Sequence, residues 1–214
     1  TNMGATRRSA AQHSQSLHAI VAHIPGLKVA MPSSALEAKG LLKTAIRDNN
    51  PVVIFEDKLM YQDKAEVPEG EFLIPFGVAN VKREGSDITL VGTSSMVQVA
   101  EKAAEILAKE GISAEVIDPR TIVPLDMDTI NESVRKTSRC IVIDEGHQSF
   151  GVTSEIASRI MEQSFYHLDG PVIRMGAMDV PIPFSPALED ITVPTPEGVA
   201  ANARKLMAGE MFHG

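Results

Sequence analysis

The chain has 214 residues, which allows one domain or two unequal ones. Twenty Lys and Arg against 28 Asp and Glu give a formal charge of -8, which argues against a protein that tracks nucleic-acid phosphates. Hydrophobic residues make up 43% and charged ones 22%, the composition of a folded protein with a real core and not of a disordered or collagen-like chain.

Cys140 is the only cysteine, so neither an intrachain disulfide nor a cysteine-built zinc site can form. A reducing compartment is the simplest setting, with a bacterial cytoplasm ahead of an organelle matrix. The longest apolar runs, 52–55 and 140–143, fall far short of the ~20 residues of a membrane helix, so no membrane partner is expected. The opening residues hold no apolar signal core. The chain starts on Thr1, inside what reads as a loop, which suggests a fragment.

In chain order, the pattern predicts a helix over 14–23, a strand over 27–31, a helix over 35–47 and a strand over 52–56. Residues 57–71 lack periodicity, carry Pro68 and Gly70 with many acids, and read as a surface linker. A strand over 77–81 then opens a second unit. Strands follow over 88–93, 114–117, 140–144 and 172–176, alternating with helices over 95–109, 128–136, 152–164 and 197–207. Short β-branched runs separated by amphipathic helices define an α/β fold with a mostly parallel sheet and right-handed crossovers.

The first 36 residues contain no acid yet hold His13, His18 and His23. His18 and His23 fall inside the predicted helix and read as ordinary helix residues. His13 precedes it, with Ser14 as the expected N-cap, so its ring is expected beside free backbone N–H groups that disfavour the imidazolium. A neutral imidazole there suits proton transfer or hydrogen bonding to a substrate oxygen. The run from Ala45 and Ile46 through Asp48 and Asn50 to Pro51 ends a helix, where free carbonyls and side-chain oxygens fit either a helix cap or a hard cation. Asp144-Glu145-Gly146-His147 follows a strand at the edge where α/β folds place ligands, without a second ligand at metal spacing. Neither a Gly-rich phosphate loop nor a Gly-x-Ser-x-Gly turn is present.

Gln-His-Ser-Gln at 12–15, His-Ile-Pro-Gly-Leu-Lys-Val at 23–29, Ala-Lys-Gly-Leu-Leu at 38–42 and Ala-Ile-Arg-Asp-Asn-Asn-Pro-Val-Val at 45–53 form an ordered series. Arg-Thr-Ile-Val-Pro-Leu-Asp at 120–126, Leu-Asp-Gly-Pro at 168–171 and Asp-Val-Pro-Ile-Pro at 179–183 continue it. The whole resembles the β-subunit of the thiamine-diphosphate-dependent first component of 2-oxo acid and acetoin dehydrogenase complexes, of the transketolase-like superfamily. The resemblance implies that residues 1–75 end a pyrimidine-binding domain and include its linker. Residues 76–214 would then form a transketolase C-terminal-type three-layer α/β/α domain. It also implies that the family's N-terminal part, with its cofactor-activating glutamate, lies outside this chain, so the fragment alone is expected to be inactive.

The same resemblance implies a heterotetramer of two α- and two β-subunits with a β–β contact. Thiamine diphosphate would be shared between subunits, and Mg2+ and the diphosphate held by the α-subunit. It matches His13 to the active-site histidine facing the cofactor. Ala45, Ile46, Asp48 and Asn50 match a potassium loop, and Asp169 matches a position facing the lipoyl-bearing acyltransferase core. The reaction implied is carbon–carbon cleavage of acetoin, or decarboxylation of a 2-oxo acid such as pyruvate, with acyl transfer to lipoyl-lysine. Phe55-Glu56-Asp57-Lys58 and Pro183-Phe184-Ser185-Pro186 look closer to acetoin than to pyruvate members. Two alternatives stand beside this reading: a module for subunit association and core docking only, and a relative of transketolase or deoxyxylulose-phosphate synthase.

Overall fold

Residues 1–210 are described by the structure, a computed structural model. The N-terminal region runs β1 (Asn2–Met3), α1 (Ala10–His13), α2 (His18–Ala22), β2 (Lys28–Ala30), α3 (Ala35–Ile46), β3 (Val52–Ile54) and β4 (Glu56–Asp57). After a largely exposed stretch come β5 (Asn80–Arg83), β6 (Ile88–Gly92), α4 (Met96–Ala108), β7 (Ala114–Asp118), β8 (Thr121–Val123) and α5 (Met127–Thr137). The chain continues with β9 (Cys140–His147), α6 (Val152–Ser164), β10 (Ile173–Ala177), α7 (Pro186–Glu189) and α8 (Pro196–Met207).

Five strands in the order β10-β9-β6-β7-β5 make the main sheet, parallel except for the antiparallel edge strand β5. Every residue of β6 and β7 is buried, as a sheet covered on both faces requires. Alternation along the strands splits the core. Leu90, Val116, Ile141 and Ile143 face α4 and α8 through Val97, Leu107 and Val199, whereas Val91, Ile117 and Val142 face α5 and α6 through Ile130 and Ile156. Asp126 caps α5 by accepting from Thr129 N–H at 3.1 Å, and left-handed Ser138 (φ 60°) closes that helix with its N–H on Val134 O. The predicted α/β class is what the residues form.

Three local expectations fail. Instead of one helix over 14–23 there are two short ones, α1 and α2, separated by 14–17. Leu17, Ile20 and Ile24 are 46%, 64% and 47% exposed, and the buried side chain is His18. The strand expected over 77–81 forms instead as β5, after Gly77 turns with φ +76°. Residues 57–71 are not wholly a surface linker: Asp57 is 1% exposed and caps a 3-10 turn over Lys58–Gln62. A second sheet, β3-β2-β8, takes β8 from beyond β7 and pairs it antiparallel to β2. Among the described residues no helix is long and apolar enough to cross a membrane.

Candidate functional site at the ends of the central strands

Leaving β6, the chain crosses through α4 to β7 on one side and returns through α5 to β9 on the other. The carboxyl ends of β6 and β9 therefore flank the point where strand order reverses, the place open α/β sheets use for ligands. Thr93 follows β6, and Asp144 and Glu145 lie near the end of β9. Against them pack the N-terminal segment and α2.

Asp144 is the centre of this contact. Its Oδ2 lies 2.8 Å from His18 Nε2 and accepts the Gly146 N–H at 3.1 Å, while Oδ1 accepts from the Thr93 hydroxyl. Burial alone would raise its pKa, but the His18 ring, the Thr93 hydroxyl and the Gly146 N–H together hold it below the ordinary value. His18 is 0% exposed, its ring meets Phe55 edge-on at 5.9 Å, and its Nδ1 has no partner. Next to it, Glu145 Oε1 accepts the Ala5 N–H at 2.7 Å. Burial first, and the adjoining Asp57 carboxyl second, hold the Glu145 proton well above the usual carboxylate range.

His13 is placed differently from expectation. It ends α1 and does not sit at a helix N-terminus, and Ser14 is the C-cap of α1 with its Oγ buried and unpartnered. The helix N-terminus that was to favour a neutral imidazole is therefore not there. The His13 ring is exposed, and its backbone carbonyl accepts from Lys58 Nζ. A cavity of about 520 Å3 opens beside this segment, lined by Ala11, Gln15, Leu17, His147, Asp179 and Ile182. His18, read from sequence as an ordinary helix residue, is the buried partner of Asp144. The one signal for it was the acid-free, histidine-bearing start of the chain facing an Asp-Glu pair at a strand end. His23 is exposed at the C-cap of α2.

The groups matched to a potassium loop are engaged with one another. Ala45 O accepts the Asp48 N–H at 3.2 Å, and Asp48 Oδ1 accepts the Asn50 N–H at 2.8 Å and Nδ2 at 2.9 Å. Asp48 Oδ2 pairs with Lys28 Nζ at 2.5 Å, and the Lys28 and Asn50 hydrogen bonds bring the carboxyl pKa down to about 2. The Lys28 ammonium thus engages the Asp48 carboxylate, and Ile46 is the last residue of α3. Among the described residues no group of three or more His, Cys, Asp or Glu could hold a metal ion. Asp169 is at the surface, paired with Arg139 at 3.1 Å, with Phe165 and Tyr166 exposed nearby.

Residues 77–199 match the transketolase C-terminal domain family, and residues 1–64 match the transketolase pyrimidine binding domain. The chain belongs to the transketolase C-terminal domain family. Over 207 residues this transketolase-family chain is 47% identical to "Acetoin:2,6-dichlorophenolindophenol oxidoreductase subunit beta" of Bacillus subtilis, covering 97% of this chain and 60% of the relative. It is 46% identical to "Pyruvate dehydrogenase E1 component subunit beta" of Rickettsia felis, over 95% of this chain and 62% of that one. The chain thus spans about three fifths of these relatives' length. A solved structure titled "Split gene transketolase, inactive beta4 tetramer" superposes with a TM-score of 0.78 at 27% identity, covering 94% of this chain and 64% of that one. Transketolase of Pichia stipitis shares the fold at a TM-score of 0.64 and 18% identity, over 94% of this chain and 28% of that one.

Proposed function

We propose that this transketolase-family chain forms the end of a pyrimidine-binding domain with its linker, residues 1–75, and the C-terminal domain, residues 76–214, of a β-subunit. The parent enzyme would be the thiamine-diphosphate-dependent first component of an acetoin or 2-oxo acid dehydrogenase complex. It would cleave acetoin, or decarboxylate a 2-oxo acid such as pyruvate, and pass the acyl group to lipoyl-lysine of an acyltransferase core. The observation that carries this reading is 47% identity across 97% of the chain to an acetoin oxidoreductase β-subunit, a span that includes the His13 segment.

Thiamine diphosphate, when bound, supplies the electron sink for carbon–carbon cleavage. The donors here fit that cofactor at one end only: an exposed imidazole on a tethered segment beside a cavity. Mg2+ and the diphosphate are assigned to the α-subunit, with which this chain would form the heterotetramer. His13, the proposed catalytic residue, would hold or move a proton at the substrate oxygen or the incoming lipoyl sulfur, a task suited to imidazole. The cavity walls orient substrate and exclude water.

In the complete β-subunit with its α partner, His13→Ala is expected to lower turnover at least about tenfold, ~1.4 kcal/mol of transition-state stabilisation. Unchanged turnover would remove His13 from the mechanism. Dye-coupled turnover with acetoin, pyruvate and branched-chain 2-oxo acids at equal concentration tests the substrate: acetoin is expected to be preferred by about tenfold, and preference for a 2-oxo acid would overturn that assignment. Asp169, with exposed Phe165 and Tyr166 beside it, is proposed to face the acyltransferase core.

A further inference from the structure

We propose that Asp144 and Glu145 are positioning residues that clamp the two ends of the segment carrying His13, Asp144 through His18 and Glu145 through Ala5. For its role in turnover the proposal rests on the function proposed above; the clamp itself rests on geometry. Consecutive strand residues ordinarily point to opposite faces. Here the pairing of β9 with β10 slips: Ile143 pairs with Met175, but the next pair is His147 with Ala177, so four residues of β9 span two of β10. Such a bulge re-aims side chains beside functional sites. It lets two adjacent acids reach two separate points on one segment.

Asp144 holds the far end, with its Oδ2 2.8 Å from His18 Nε2 at the start of α2. Glu145 holds the near end, with its Oε1 on the Ala5 N–H at 2.7 Å. Between these anchors Thr6, Arg8 and Ala10 have φ of 62°, 56° and 56°, left-handed values that non-glycine residues keep only when their surroundings impose them. The middle is tied as well, because Lys58, next to Asp57, donates to His13 O and accepts from Arg7 Nε at 3.0 Å.

Asp57 joins this hub. Its Oδ1 accepts the Leu59 N–H at 2.8 Å, leaving Asp57 Oδ2 and Glu145 Oε2 buried without an N–H or O–H donor. One proton between the two carboxyls satisfies both oxygens, and Gly4 (φ +107°) lets the backbone approach: a Cβ there would lie 2.6 Å from Asp57 Oδ1 and 3.1 Å from Glu145 Oε2. The titratable groups around Glu145 are Asp57 from β4, Asp144 on its own strand and His18 from α2 behind Asp144. The N-terminal segment contributes backbone N–H there. Losing the shared proton would set two carboxylates face to face out of water, so the clamp is expected to loosen as pH rises.

The test is amide hydrogen exchange, as protection factors corrected for intrinsic rates, together with turnover, in the complete β-subunit bound to its α partner. Asp144→Ala is expected to reduce protection across 5–18 on the order of tenfold while β6 and β9 stay protected, and to lower kcat more than it raises KM. Glu145→Gln keeps an acceptor for Ala5 and a donor for Asp57 without a titratable proton. It is expected to retain protection and to abolish the wild type's loss of protection as pH rises. Should Asp144→Ala fail to fold, this second variant decides alone. Wild-type protection in Asp144→Ala, or the same pH response in Glu145→Gln as in wild type, would overturn the clamp even if His13→Ala abolishes turnover. Lost protection with turnover unchanged in both Asp144→Ala and His13→Ala would leave the clamp standing and overturn its positioning role.

Discussion

Leu90→Ala is expected to lower the unfolding free energy by about 3–5 kcal/mol, a large share of the ~5–15 kcal/mol typical of a domain. Leu90 is 0% exposed at the centre of the main sheet, in register with Val116 on one side and Ile141 on the other. Its side chain packs toward α4, whose contribution to that core includes Ala100, Ala103 and Ala104. Alanines bring helix and sheet close together but have no flexible atoms that could move into a vacated volume, so most of the cavity would persist. Urea unfolding should show a lower midpoint at an unchanged slope. Leu188→Ala is the control: at 54% exposure it should change stability by less than about 0.5 kcal/mol. A loss at Leu90 below about 1 kcal/mol would mean that the layer collapses and the alanine argument is wrong.

The parts of the fold that sequence reveals are those whose causes are local. The helix read over 152–164 forms as Val152–Ser164, and that read over 95–109 as Met96–Ala108, because the amphipathic spacing lies within each segment. β6, β7 and β9 are legible for a similar reason, as short β-branched runs too apolar to be anything but buried. Pattern gives no such warning of β8, which has three residues and exists because it pairs with β2. The break at 14–17 is equally non-local. His18 is buried against a carboxylate 126 residues away, a contact that no local pattern announces. Asp57 was hidden in an acidic stretch that is otherwise exposed, and only the fold shows that its neighbour is a second acid.

Asp118→Asn is expected to stabilise the protein at neutral pH by about 2–3 kcal/mol and to leave it unchanged near pH 4. Asp118 ends β7 at 0% exposure, and burial first, then the adjacent Glu37, push its pKa up from 3.8 to about 6. Glu37, on α3 and 1% exposed, goes the other way: burial would raise its pKa, but the hydroxyls of Ser34 and Ser33 with Lys82 at 3.7 Å and Arg120 at 3.6 Å bring it below the ordinary value. Ser33 lies between the two acids, 2.5 Å from Asp118 Oδ2 and 3.1 Å from Glu37 Oε2, and has one proton to give. A protonated Asp118 can donate to Ser33 and Ser33 to Glu37, which satisfies all three; an ionised Asp118 leaves two carboxylates competing for one hydroxyl. The sign follows from where the proton binds more tightly. The folded state keeps it up to about pH 6 and the unfolded chain releases it near 3.8, so stability is fully present below 3.8, falls as pH rises between these values and is flat above. Two pKa units correspond to about 3 kcal/mol. Asparagine accepts the Arg120 N–H, donates to Ser33 and has no proton to lose, so urea unfolding of variant against wild type should show equal stability near pH 4 and a widening gap up to about pH 6. A variant less stable than wild type at neutral pH, with the acid-range slope intact, would mean that Asp118 is held as a carboxylate and that Glu37 carries the proton instead.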